Sequence, residues 1–126
     1  YELMAACDVV VAASGTVTLE LLLLDTPMVV AYRLSWLTYR LGRILVNIKY
    51  FSLVNLIAGK KIVPELLQED ATPQKIGGLM HELLFNKEKA DEMKQGFSLV
   101  KELLGQPGAS KKAARLALSV IDEVNP

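Results

Sequence analysis

The stretch Ala13-Ser14-Gly15-Thr16-Val17-Thr18-Leu19-Glu20, ASGTVTLE, decides how this chain folds. It follows DVVVA (Asp8 to Ala12) and opens the run LLLL (Leu21 to Leu24). A short, continuous β-branched run from Asp8 to Ala13 is the signature of a strand buried on both faces. Gly15 to Leu24 is apolar nearly all round, which suits a buried helix of a layered α/β domain. Asp25-Thr26-Pro27 breaks that helix, and MVVAY (Met28 to Tyr32) reads as a second strand. Strand, helix and strand within about twenty-five residues make a βαβ unit, hence a parallel sheet with a right-handed crossover.

The hydroxyl–glycine turn between strand and helix has two readings. In open α/β sheets ligands bind beyond the carboxyl ends of the strands, where helix N-termini point. Ser14-Gly15-Thr16 lies at such a place. Glycine lets a ligand approach the backbone, and free N–H groups favour an anion. Glu20 follows Thr16 by one helical turn and can accept two hydrogen bonds from a ribose diol. Phosphate on backbone amides with ribose on a nearby acid is the geometry of a nucleoside diphosphate. The other reading makes Ser14 a plain N-cap and Glu20 a first-turn dipole partner. There is no G-x-G-x-x-G and no G-x-x-x-x-G-K-[ST], so the dinucleotide and P-loop sites lose their best evidence.

Further along, Ser35 can cap a helix to about Asn47, with Leu37, Leu41, Ile44 and Ile48 on one side and Trp36, Arg40, Arg43 and Asn47 on another. Tyr50 to Val54 reads as a short extended piece, and Pro64 suits the first turn of a helix. Thr72 can cap a helix with Pro73 in its first turn and Ile76, Leu79, Met80, Leu83 and Leu84 as its apolar stripe. Ala90, Met93, Phe97, Val100 and Leu104 form the next stripe. GQPG (Gly105 to Gly108) ends it, and Ala113, Leu116, Ala117, Val120, Ile121 and Val124 form a last one. Two or three strands with three closing helices make an incomplete sheet, with further strands expected upstream. YELMAACD (Tyr1 to Asp8), lacking an initiating methionine, reads like the tail of a helix running into a strand, so a piece of a longer chain is expected.

The 126 residues suffice for one domain, and 52% hydrophobic with 22% charged residues excludes a disordered chain. Fourteen basic and fourteen acidic residues cancel, but unevenly along the chain. Residues 1 to 32 carry acids and no base, whereas residues 33 to 64 carry Arg33, Arg40, Arg43, Lys49, Lys60 and Lys61 and no acid. An acidic surface or ligand would be drawn to that middle third. Its aromatics, Tyr32, Trp36, Tyr39, Tyr50 and Phe51, make a nucleic-acid platform conceivable, but the positive field is small for one. Trp36 beside Arg40 and Arg43 suits a helix lying on anionic lipid; alternatively Trp36 packs on a neighbouring domain and the arginines are solvated or meet substrate phosphate. No apolar run reaches the ~20 residues that span a bilayer. Cys7 is the only cysteine and reads as a buried structural thiol, so no internal disulfide forms and a reducing compartment is expected. His81 reads as a surface residue, and without a second histidine it makes a poor metal ligand or base.

AACDVVVAASGTVTLELLLLDTPMVVAYRLSWLTYRLGRILV (Ala5 to Val46), then SLVNLIAG (Ser52 to Gly59) and VPELLQEDATP (Val63 to Pro73), resembles the C-terminal part of the bacterial lipid-A-disaccharide synthase family. The resemblance runs almost end to end, is strongest from Ala5 to Pro73, and fades in the last helices. The ordered set S-G-T, P-M-V-V, Y-R, S-L-x-N-L-x-A and P-E-L-L-Q is far more specific than any one member. Val54 departs from the family's usual proline before the asparagine, which is expected to loosen the Asn55 loop.

The resemblance implies an α/β fold: part of the Rossmann-like C-terminal domain of a GT-B glycosyltransferase, parallel strands followed by several helices. Residues 1–126 would be a fragment of the nucleotide-sugar-binding domain, and the N-terminal acceptor domain with its general base would lie outside them. The implied reaction transfers diacylglucosamine from UDP to a diacylglucosamine phosphate, forming the lipid A disaccharide and UDP in lipopolysaccharide biosynthesis. Ser14, Gly15, Thr16 and Glu20 would meet the UDP diphosphate and ribose. Asn55 would be an active-site contact, the sole catalytic candidate, with Arg33, Glu65 and Gln68 as further substrate-binding candidates. No metal or cofactor is implied. The enzyme would work in the cytoplasm, peripherally on the inner membrane, with Trp36, Arg40 and Arg43 as membrane contacts, and a homodimer is possible within the family. Two alternatives remain: another GT-B enzyme using a UDP-amino sugar, against which S-L-x-N argues, and a non-catalytic paralogue that keeps nucleotide binding.

Overall fold

The computed structural model of the chain describes residues 1–35, 49–105 and 108–124, the last four as helix backbone. The expected helix after Ser35, and with it Trp36, Arg40 and Arg43, lies outside the described residues.

A short helix α1 (Glu2–Ala5) leads into strand β1 (Val10–Ala12), helix α2 (Val17–Leu23) and strand β2 (Met28–Tyr32). This is the expected βαβ unit. Val10 pairs with Met28 and Ala12 with Val30, in parallel. The flanking turns account for its limits. Asp25 takes φ 57° after α2, a left-handed setting that Asp tolerates, and its carboxylate meets Lys101 at 2.7 Å. Thr26 donates its hydroxyl to Met4 O, tying α1 to the start of β2. β1 is less enclosed than a strand buried on both faces, because Val11 lies at the sheet edge and is 41% exposed. Leu21 and Leu22 are fully buried, whereas Leu23 faces outward.

Two segments differ from expectation. Residues 50–54 are not one extended piece, because helix α3 (Leu53–Ala58) begins within them. Ser52 caps it, accepting from the Asn55 N–H, and Gly59 closes it at φ 65°. Pro64 opens no helix either: it leads into strand β3 (Glu65–Leu67), parallel to β2, with Val30 pairing Glu65 and Tyr32 pairing Leu67. The Pro64 carbonyl accepts from Val30 N, so sheet pairing outweighs the helix preference of Glu-Leu-Leu-Gln. The sheet order is β1-β2-β3.

A 3₁₀ turn (Gln68–Asp70) joins β3 to α4 (Pro73–Phe85), capped by Thr72 with Pro73 in its first turn, as expected. Helix α5 (Lys87–Leu104), capped by Asn86, buries Met93, Phe97 and Val100 against the core of Leu21, Leu22, β2, Val54 and Val63. Complete burial of a side chain such as Phe97 is worth about 1.5–3 kcal/mol. The ends of the expected stripes, Leu84 and Leu104, are exposed. Helix α6 (Ala109–Val124) leaves Leu116 and Val120 open among the described residues. Cys7 is only half-buried, donating its thiol to Leu3 O. His81 is exposed, its ring centroid 4.6 Å from that of Phe85.

Candidate functional site

Three parallel strands bring their carboxyl ends to one edge of the sheet. β1 delivers Ser14 to Thr16, β2 delivers Arg33 to Ser35, and β3 delivers Gln68. Such an edge is where open α/β sheets hold ligands.

The Ser14 turn does not follow the simple capping pattern. The N-cap of α2 is Thr16, without a side-chain bond, rather than Ser14. Ser14 donates its hydroxyl to Phe51 O at 2.6 Å, a partner 37 residues away. Thr18, fully buried, donates its hydroxyl to Gly15 O at 2.8 Å. The two hydroxyl donors of Ser14 and Thr18 are thus committed to the frame, while the exposed Thr16 hydroxyl is not. No described residue accepts from the N–H groups of Gly15, Thr16 or Val17. Gly15 sits at φ 157°, which L side chains rarely adopt, and the space a Cβ would take is open. The turn therefore presents backbone donors and little steric bulk. Glu20 stands in the first turn of α2, half-exposed, with no described donor on its carboxylate.

Asn55 is fully buried and fully bonded. Its Oδ1 accepts from Ile62 N at 2.6 Å and Val63 N at 2.9 Å, while its Nδ2 donates to Val63 O at 2.9 Å and Glu65 Oε1 at 2.8 Å. Two donors and two lone pairs are all that an Asn amide possesses. Asn55 thus clamps the turn between α3 and β3. The loosening expected at Val54 is not seen: Val54 is buried in the first turn of α3 and the Asn55 bonds are all made. Glu65 is also committed: Oε2 accepts from Phe51 N at 3.0 Å, and Oε1 from Ser52 N at 2.8 Å besides Asn55.

Gln68, at φ 52°, accepts from Leu34 N at 2.9 Å and donates to Leu34 O at 3.1 Å. Arg33 donates to Gln68 O and Ala71 O, which leaves its other guanidinium donors uncommitted among the described residues. The sequence-predicted set therefore divides. Gly15, Thr16, Glu20 and part of Arg33 are available to a ligand; Ser14, Asn55, Glu65 and Gln68 hold the frame together.

An open cleft of about 240 Å³ beside this frame is lined by Phe51, Asn55, Glu65 and Leu67, with Lys49 and Lys61 from the basic middle of the chain. A larger groove of about 550 Å³ lies at the opposite end of β3, around Ile62 and Pro64, where Lys60 and Lys89 mix with Glu82 and Glu92. Mixed charge and distance from the strands' carboxyl ends set that groove apart from the site. Among the described residues no three His, Cys, Asp or Glu side chains gather as a metal would require, and no helix is long and apolar enough to cross a membrane. Sequence reasoning missed Phe51 and Ser52. The signal for Ser52 was present, since a serine three residues before a polar side chain is close to a capping box. Phe51 acts through its backbone and leaves no such signal.

A sequence model of one family, described as lipid-A-disaccharide synthetase, matches residues 1–120. The lipid-A-disaccharide synthase of Nitrosococcus oceani is 43% identical over 125 residues, which are 99% of this chain and 32% of that protein. That of Trichlorobacter lovleyi is 41% identical over 123 residues, 98% of this chain and 32% of its own length. That of Acinetobacter baylyi reaches 46% over 103 residues, 82% of this chain and 26% of its own length. The chain spans about a third of the length of the curated relatives it matches. With the matched span running through the Ser14 turn, the Asn55 clamp and Gln68 alike, the chain belongs to the lipid-A-disaccharide synthetase family.

Proposed function

We propose that this chain is the nucleotide-sugar-binding part of a lipid-A-disaccharide synthase, a GT-B glycosyltransferase. The full-length enzyme moves diacylglucosamine from UDP to a diacylglucosamine phosphate, giving the lipid A disaccharide of lipopolysaccharide. The observation that carries this reading is family membership along residues 1–120 together with an open set of backbone N–H groups at the carboxyl end of β1.

The barrier in such a transfer is leaving-group charge. As the bond between sugar and UDP breaks, negative charge grows on the β-phosphate. Fixed N–H donors of Gly15, Thr16 and Val17, the Thr16 hydroxyl and the free donors of Arg33 meet that charge without reorganising, which is how preorganised dipoles lower a barrier. Glu20 accepts the ribose hydroxyls. The acceptor and general base belong to a domain outside this chain.

Glu20→Ala in the full-length enzyme is expected to weaken UDP binding by about 1–3 kcal/mol, the scale of hydrogen bonds to a charged partner. Isothermal titration measures it, and equal affinities in mutant and wild type would sink the ribose assignment. The reading also puts the enzyme on the cytoplasmic face of the inner membrane, because its substrates carry acyl chains and residues 33–64 are basic and aromatic without an acid. Trp36, Arg40 and Arg43 are the proposed contacts. Arg40→Glu combined with Arg43→Glu is expected to release the full-length enzyme from phosphatidylglycerol-containing vesicles. Unchanged co-sedimentation would remove the membrane role of this segment.

A further inference from the structure

The peptide between Phe51 and Ser52 is gripped on both sides. Its carbonyl accepts the Ser14 hydroxyl at 2.6 Å, and its N–H, that of Ser52, donates to Glu65 Oε1 at 2.8 Å. The preceding N–H, that of Phe51, donates to Glu65 Oε2 at 3.0 Å. Asn55 Nδ2 adds a third donor to the same carboxylate. A peptide whose N–H is bonded to a carboxylate is polarised, and its carbonyl becomes the better acceptor. Ser14 is therefore anchored to a group that Glu65 both fixes in space and strengthens. No buried side-chain polar atom among the described residues lacks a partner, so the relay is complete as built.

We infer that Glu65 is a positioning residue for the Ser14–Thr16 turn, acting through the Phe51–Ser52 peptide rather than by touching substrate. The inference deepens the function proposed above and rests on it, since UDP is taken as the ligand of the turn. Ser14 is followed at once by the three N–H groups that no described residue accepts from, so any rotation at Ser14 re-aims them together. The consequence falls on the nucleotide and not on the acceptor.

Glu65→Gln tests this by replacing one carboxylate oxygen with an NH₂ group. A Gln amide keeps one oxygen for Ser52 N and Asn55 Nδ2, but its NH₂ then faces the Phe51 N–H, donor against donor. The reverse orientation opposes two donors and is worse. In the full-length enzyme, Glu65→Gln is expected to raise the Kd for UDP and the KM for the nucleotide sugar about 5- to 10-fold, the scale of one net hydrogen bond, with the acceptor KM unchanged. Ser14→Ala is expected to do the same. Because both act through one peptide, the double variant should be within about twofold of the worse single variant. Lowered stability raises an apparent Kd only when an appreciable fraction of the protein is unfolded, so circular dichroism showing both variants folded at the assay temperature, with the acceptor KM unchanged, separates the positioning role from a loss of fold. Effects that multiply, an acceptor KM that rises equally, or unchanged UDP binding in Glu65→Gln would overturn the role of Glu65. A wild-type enzyme that does not bind UDP would overturn the proposed function, and this inference with it.

Discussion

Asn55 has no hydrogen-bonding capacity left over. Its four bonds satisfy the N–H groups of Ile62 and Val63, the Val63 carbonyl and one oxygen of Glu65, with Asn55 and Val63 fully buried and Ile62 and Glu65 half-buried. Removing it strands those groups, and each buried group left unpaired costs about 1–3 kcal/mol. Asn55→Ala is therefore expected to destabilise the full-length enzyme by about 3 kcal/mol, allowing for partial rescue by water. Asn55→Asp is expected to be worse, since it sets a second carboxylate against Glu65 and loses the donor to Val63 O. Urea unfolding decides the matter, and midpoints equal to wild type would show that the clamp carries no stability. Activity lost in either variant reports the loss of this frame before it reports any contact with substrate.

At the scale of elements, the strongly patterned pieces were legible and those held by distant pairing were not. Val10–Ala12, Val17–Leu23 and Met28–Tyr32 declare themselves through continuous apolar runs, and Thr72-Pro73 marks the start of α4 by cap and first-turn chemistry. The α3–β3 segment misleads because Glu65-Leu66-Leu67 has helix-forming residues, while the pairing that makes it a strand comes from Val30 to Tyr32, more than thirty positions earlier. Its counterpart on the helix side is equally silent in sequence. Gly96 of α5 lies so close to Ile62 that an added Cβ would stand 2.6 Å from Ile62 Cγ2 and 2.9 Å from Cδ1. Gly96→Ala is thus expected to cost about 1–3 kcal/mol despite its better helix propensity, as overpacking does. Adding Ile62→Ala removes both opposing atoms, so the double variant should destabilise by less than the sum of the two single changes. Strict additivity in thermal unfolding would refute the close approach.

For the whole molecule, the function proposed above links ligand to fold. A nucleotide that binds only the folded enzyme stabilises it by about 2.7 kcal/mol at a hundredfold excess over Kd. Saturating UDP is expected to raise the unfolding midpoint of the full-length enzyme, and GDP at equal concentration to raise it less; identical shifts would deny the site its uridine preference. What was legible of the site follows the same division as the fold. The turn Ser14-Gly15-Thr16 and Glu20 stand within one short stretch, so spacing exposes them. Their support does not, because Ser14 reaches Phe51, Leu34 reaches Gln68, and Phe51 reaches Glu65 across the chain. That arrangement sets a clock on synthesis. Ser14 leaves the ribosome fifty-one residues ahead of Glu65, an interval of about 3–10 s at ordinary elongation rates. Through that interval the nascent turn has its own sequence but not the partner that holds it, so the proposed nucleotide site is complete only when translation has passed β3.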